Sequence, residues 1–108
     1  MKSEYLTPYE FEQKTIKETE KEIKNIVLSN ELTFNQKFIR LKYFYLENYK
    51  PNIIGFYGRM FSLKIAVATA TLEILINKGN KEAKMLYDAL KNDKHINQIK
   101  EVRGGLNG

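Results

Sequence analysis

Cysteine is absent from this 108-residue chain, histidine occurs once and proline only twice. Without cysteine there is no disulfide, no thiolate metal site and no thiol nucleophile. That composition suits an intracellular compartment. His95 alone cannot supply the three or four ligands a metal ion needs. Asp88, Asp93 and His95 come closest to a ligand set, and their spacing fits no metal motif. Nor does any elbow motif place a serine or threonine nucleophile against it. Gly55-Phe56-Tyr57-Gly58 lies at a helix start without the rest of a P-loop or dinucleotide fingerprint. These gaps argue against an enzyme and predict no cofactor and no metal. The opening MKSEYLTPYEFEQK is polar, with no apolar core of the kind a secretory signal needs.

Helix breakers are few and clustered, which favours long helices. The length sets one domain over residues 1–108 with a single modest core. Thr7, Pro8 and Glu10 read as a capped helix start. That helix is expected to run to Leu28 or Ser29 with a thin stripe of Tyr9, Ile16, Ile23, Ile26 and Val27, its first turns weakly docked. Thr33 and Gln36 form a second capping box. The helix after it carries Phe34, Phe38, Leu41, Tyr45 and Tyr49 on one face, widened by Ile39, Tyr43 and Leu46. Lys50-Pro51-Asn52 ends it. A third helix is expected from there to Gly79, a natural C-terminal cap. Asn80 caps a fourth, with Ala83, Leu86, Tyr87 and Leu90 inward. Asp93 caps a short last element bearing Ile96, Ile99 and Val102, and residues 104–108 read as a flexible tail. The expected fold is therefore all-α: an antiparallel four-helix bundle with a short C-terminal fifth helix or extension.

Pro51 to Ile76 is the most apolar segment of the chain. Arg59, Lys64 and Glu73 interrupt it, leaving uncharged runs of at most eight residues. Each charge near a bilayer centre costs roughly 2.5–3.5 kcal/mol, so the expectation is a core helix rather than a membrane span. On a helical wheel Ile53, Phe56, Tyr57, Met60, Phe61, Leu63, Val67, Leu72, Ile74 and Leu75 cover a wide apolar arc. Asn52, Gly55, Arg59, Ser62, Ala66, Thr69, Glu73 and Asn77 form a narrow seam, which faces water, packs on the first helix or admits a partner helix. Lys64 falls inside the arc and must pair with a carboxylate or reach out to the edge.

The net charge is +5, with nine cations and eight acids in residues 1–50 and nine cations and five acids in residues 51–108. A basic excess favours nucleic acid, an anionic membrane surface or an acidic protein. Lys37, Arg40 and Phe44, placed on the solvent side of the second helix, offer one candidate surface. With Lys42, Tyr43 and Tyr45 they form a basic and aromatic cluster of the sort that holds phosphates and stacks bases. This motivates an alternative reading as a small nucleic-acid-binding or mobile-element accessory protein. A third reading is an inhibitor or adaptor that docks through the seam.

Taken together, EFEQK, NYKPNIIGFYGRMF, KEAKMLYDALK and the closing EVRGGLNG resemble the immunity proteins of class II bacteriocins, particularly the lactococcin-type ones. The likeness is spread over most of the chain rather than held in one motif. It implies a non-enzymatic protein that guards the producer cell by binding the bacteriocin-occupied receptor, a mannose-type phosphotransferase permease, from the cytoplasmic side. It also implies a cytoplasmic location, with peripheral attachment at the inner membrane face. In that family the C-terminal part governs specificity. Carried over, the partner contacts would be Lys94, Ile96, Ile99, Lys100, Val102, Arg103 and Leu106. The long continuous third helix departs from the family's pattern, which leaves the register of the residues beyond it open.

Overall fold

The structure, a computed structural model, describes residues 6–99. It holds four α-helices, α1 (Pro8–Val27), α2 (Phe34–Asn48), α3 (Gly55–Asn77) and α4 (Lys81–Lys91), then a 3-10 turn at Ile96–Gln98. No strand occurs among the described residues. The expected fifth helix is only this turn. Asp93 Oδ1 caps it, accepting from the His95 and Ile96 amides at 2.9 and 3.1 Å. Residues 104–108, read as a tail, lie outside the described residues, as do Lys100, Val102, Arg103 and Leu106.

The helix ends follow from local chemistry. Thr7 and Glu10 exchange side-chain-to-amide bonds at 3.1 and 3.0 Å, and Thr33 and Gln36 do the same at 3.1 and 2.9 Å. These reciprocal pairs satisfy amides that a helix start leaves open. At the end of α3, Gly79 takes φ +92°, its amide donates to the Ile76 carbonyl, and the Asn80 amide donates to that of Leu75. This is a Schellman closure, for which glycine is the residue without strain. Asn80 then accepts from the Ala83 amide at 2.8 Å and starts α4. One boundary differs from the sequence expectation: α3 begins at Gly55, not at Asn52. Lys50 to Ile53 forms a turn, the Ile53 amide donating to the Lys50 carbonyl at 3.1 Å.

α3 packs against all three other helices, and its longest neighbour is α1. Phe11 meets Phe56 edge to face at 5.6 Å, and Glu12 lies 3.8 Å from Arg59, so these two helices start side by side. Their far ends also share a level. Lys37 Nζ donates to the Val27 carbonyl at 2.8 Å and pairs with Glu82 at the start of α4. α1 and α3 therefore run in the same direction. Buried Thr15 and Thr19 precede buried Ile23 at four-residue spacing on α1, a narrow stripe that permits this close approach.

The core is built from Ile23, Leu41, Tyr45, Ile65, Leu72, Leu86 and Leu90, closed by Ile96 and Ile99. Tyr45 and Thr69 share a hydrogen bond at 2.9 Å, and Thr69 also donates to the Ile65 carbonyl. Burial pushes the Tyr45 hydroxyl well above the usual phenol range, so it stays protonated. Tyr87 donates to Glu73 Oε2 at 2.9 Å, and burial with this bond pushes its pKa up to about 12.

Six of the seven buried residues of α3 lie at Ile65 or later, and none of those on α1 precedes Thr15. The early turns of both helices thus stand outside the core. α3 is long and apolar enough by length and composition to cross a membrane; its later half is the part that the other helices cover.

Candidate interaction surface

At 1.5 Å per residue, α1 and α3 reach about 30 and 35 Å, whereas α2 and α4 reach about 22 and 16 Å. The molecule is accordingly elongated, 47 by 30 by 23 Å. The starts of α1 and α3 extend past the short helices as a two-helix end. The segment Tyr49 to Ile54 returns along α3 from the end of α2 to Gly55. We call it the strap.

The strap is seated by two glycines. Gly55 takes φ +78°, a conformation that side chains rarely adopt. Gly58 lies directly beneath the strap, and a Cβ built there would fall 2.1 Å from the Ile53 carbonyl oxygen. Seating the strap in this way presents two β-branched side chains outward. Ile54 is 87% exposed and Ile53 42%. Tyr57 is 67% exposed, Tyr9 70% and Phe11 38%, and Leu6 belongs to the same end. Phe56 stacks edge to face between Phe11 and Tyr57, making the aromatic part continuous. Lone surface apolar groups are ordinary, but a contiguous set marks a contact surface.

Beside this end runs an open groove of about 820 Å³. Its floor is Gly55, Ser62 and Ala66 of the upper seam, with Gly58 beside them; Ile53, Met60 and Leu63 give it apolar walls, and Glu12 and Arg59 stand at its rim. The lower half of the seam is closed: Thr69 is buried under Tyr45, and Glu73 receives the Tyr87 hydroxyl. Lys64 finds the Phe61 ring, 5.8 Å from its centroid.

Several candidate residues read from the sequence stand elsewhere than expected. Lys37 is buried, 4% exposed, rather than on the solvent side. Its ammonium ties the end of α1 to the start of α4. Phe44 is likewise buried, packed edge to face on Tyr45 at 6.2 Å. Ile39 and Tyr43, expected inside, are exposed instead. α2 is thus rotated relative to the wheel that the sequence suggests, because its inner face meets α4 and the last turn as well as α1 and α3. Of this cluster Arg40 is exposed, and with Tyr43 and Lys21 it lines a shallow groove that also holds Glu18, Glu22 and Glu47. Three carboxylates among two cations repel a phosphate backbone.

Ile96 and Ile99 are fully buried, so they serve the core and not a partner. Lys94 is exposed. The last segment is pinned by Asp93, whose carboxylate lies 2.9 Å from Lys42 Nζ. Burial pushes the Asp93 pKa up, but Lys42 and the two amides outweigh it and hold the carboxyl below its ordinary value. His95 is exposed, and Asp88 is engaged by Lys84 at 2.9 Å.

Sequence reasoning misses Ile53, Ile54 and Tyr57 as surface residues. The signal available is the β-branched pair between Pro51 and Gly55, too close to a proline and a glycine to sit inside a helix.

No family profile, no curated protein and no solved structure matches this chain.

Proposed function

We propose that this protein is a non-enzymatic binding protein of bacteriocin-immunity type, acting in the cytoplasm on a bacteriocin-occupied, mannose-type phosphotransferase permease. The reading takes the four helices as an antiparallel bundle in their connectivity, with the 3-10 turn as its C-terminal extension. The observation that carries it is the open groove beside α3. Small residues on a groove floor let another helix approach closely, and an apolar groove with a polar rim accepts an amphipathic or membrane-derived helix. This reading takes Gly58, Ser62, Ala66 and the strap as the partner surface, with Lys94 as an outlying basic contact. Nucleic-acid binding is the weaker reading, since Lys37 and Phe44 are internal and Arg40 stands among acids.

The test is protection. A sensitive strain expressing the chain is challenged with class II bacteriocins, beside a strain expressing Ala66→Trp. Ala66 is exposed on the groove floor, so the indole fills the groove without entering the core. Survival with the parent chain and killing with the variant are expected. Unchanged killing by every peptide would overturn the immunity reading, and equal survival of both strains would remove the groove from it.

A further inference from the structure

The apolar end itself is not explained by a partner helix in the groove. Its most exposed members, Ile54, Tyr57 and Tyr9, lie within two residues of the starts of α3 and α1. Behind them comes a collar of charge. Residues 6–18 and 49–64 contain Lys14, Lys17, Lys50, Arg59 and Lys64 against Glu10, Glu12 and Glu18, an excess of two positive charges. All three acids have partners, Glu18 lying 4.0 Å from Lys14, and Lys17, Lys50 and Lys64 are the cations outside these pairs. Glu10 holds the Thr7 amide at 3.0 Å, and Glu12 faces Arg59 at 3.8 Å. Lys14 and Arg59 remain well exposed, at 59% and 73%.

We propose that this end seats on an anionic lipid surface, with Ile54, Tyr57 and Tyr9 in the headgroup and upper acyl region and the basic collar at the phosphates. The order of groups along the molecule matches the order of chemistry in a bilayer leaflet. Aliphatic and tyrosine side chains lie deepest, where amphipathic rings concentrate, and cations lie one or two helical turns back, where anionic headgroups attract them. A second copy of this chain fits less well, because two such ends placed against each other bring two positive collars together. α3 itself does not insert on this view, since its later half is held by the other helices. The contact is interfacial and reversible, of the kind set by a small apolar area plus electrostatic attraction. This inference does not depend on the immunity reading.

Flotation of the full-length chain with vesicles tests it. Vesicles of phosphatidylglycerol and phosphatidylcholine in equal parts are compared with phosphatidylcholine alone, at low and high salt. Three variants accompany the parent: Ile54→Asp, Ile54→Ser with Tyr57→Ser, and Ala66→Trp. Because Ile54 and Tyr57 are exposed, the first two should keep the parent's circular dichroism and melting. The expected result is flotation with the anionic vesicles only, weakened by salt, about tenfold or more weaker for Ile54→Asp and the double variant, and unchanged for Ala66→Trp. No flotation with anionic vesicles overturns the proposal. Flotation that survives both Ile54→Asp and the double variant also overturns it, by placing the contact elsewhere. Sedimentation of a dimer that dissolves on Ile54→Asp, without vesicle binding, replaces the lipid with a second copy. Vesicle binding and protection are separate readouts, so failure of either is recognisable on its own.

Discussion

Replacing Gly58 by alanine sets two effects of opposite sign against each other. Gly58 lies inside α3, where exchanging glycine for alanine ordinarily stabilises by about 1 kcal/mol. Here the new methyl would meet the Ile53 carbonyl oxygen at 2.1 Å and its carbon at 2.9 Å. Ordinary contact begins near 3.4 Å, so the strap has to move by at least about 1 Å. Backbone atoms do not swing away as a side-chain tip would. Crowding of this kind costs about 1–3 kcal/mol, and its ceiling is the free energy of lifting the strap off α3. The net expectation is a loss of up to about 2 kcal/mol, seen as a melting temperature lower by up to roughly 15 °C. Hydrogen exchange should locate the damage in faster exchange at Ile53, whose amide is bonded to the Lys50 carbonyl. Loosening the strap with Pro51→Gly should restore part of the loss, because the two sites share one segment. A higher melting temperature for Gly58→Ala, by the amount helix propensity alone supplies, would refute the close approach and with it the account of why Ile53 and Ile54 face outward.

Lys37→Met removes the ammonium that holds the Val27 carbonyl at 2.8 Å and leaves that acceptor without this donor; a loss of about 1–3 kcal/mol in urea unfolding is expected. No change would mean that the tie between α1, α2 and α4 contributes nothing. Tyr45→Phe deletes one buried hydrogen bond while Thr69 keeps its bond to Ile65, so the cost should be near 1 kcal/mol with the fold intact. Asp93 has its carboxyl pKa lowered by folding, so its contribution is present above the unfolded value of about 3.9 and is lost as pH falls through the folded value. Urea midpoints taken from about pH 5 to about pH 2 should therefore fall more for the parent than for Asp93→Asn, which has no such proton to gain. Parallel curves would refute the ion pair with Lys42.

Much of the fold is legible residue by residue. Capping is local chemistry, so Thr7–Glu10, Thr33–Gln36, Asn80 and Gly79 can be read from spacing alone. The inward face of α4 follows from a single strong period, since Ala83, Leu86, Tyr87 and Leu90 are all buried. α2 is harder. Its sequence is apolar or aromatic over most of the wheel, and composition does not say which sector meets the core. A wheel assigns Phe44 and Lys37 to water because they share a face with Arg40 and Glu47. Lys37 is nevertheless inside because one carbonyl and one carboxylate converge on its ammonium from α1 and α4. Partners that distant in sequence are invisible to a wheel. The candidate surface is hidden for a related reason. Tyr57 and Phe56 carry the apolar character of core residues, and only the relative lengths of the helices leave them outside.

Those lengths have a sequence origin. Pro51 stops α2 from continuing along α3, and Asp93 turns the chain out of α4 into the short element that places Ile96 and Ile99 in the core. Two helices alone cannot bury their facing stripes and also the aromatic groups on their flanks. The early turns of α1 and α3 therefore hold together through Phe11 on Phe56 and Glu12 near Arg59, contacts that leave Tyr9, Ile54 and Tyr57 wet. Stability alone would favour polar residues at those three positions, as on the outer faces of α1 and α4. The chain instead concentrates isoleucine and tyrosine there and surrounds them with lysine and arginine. A surface of that composition loses solubility unless something covers it during function. On the proposed reading the working end lies at the starts of α1 and α3, away from the last turn, whose isoleucines are already occupied in the core.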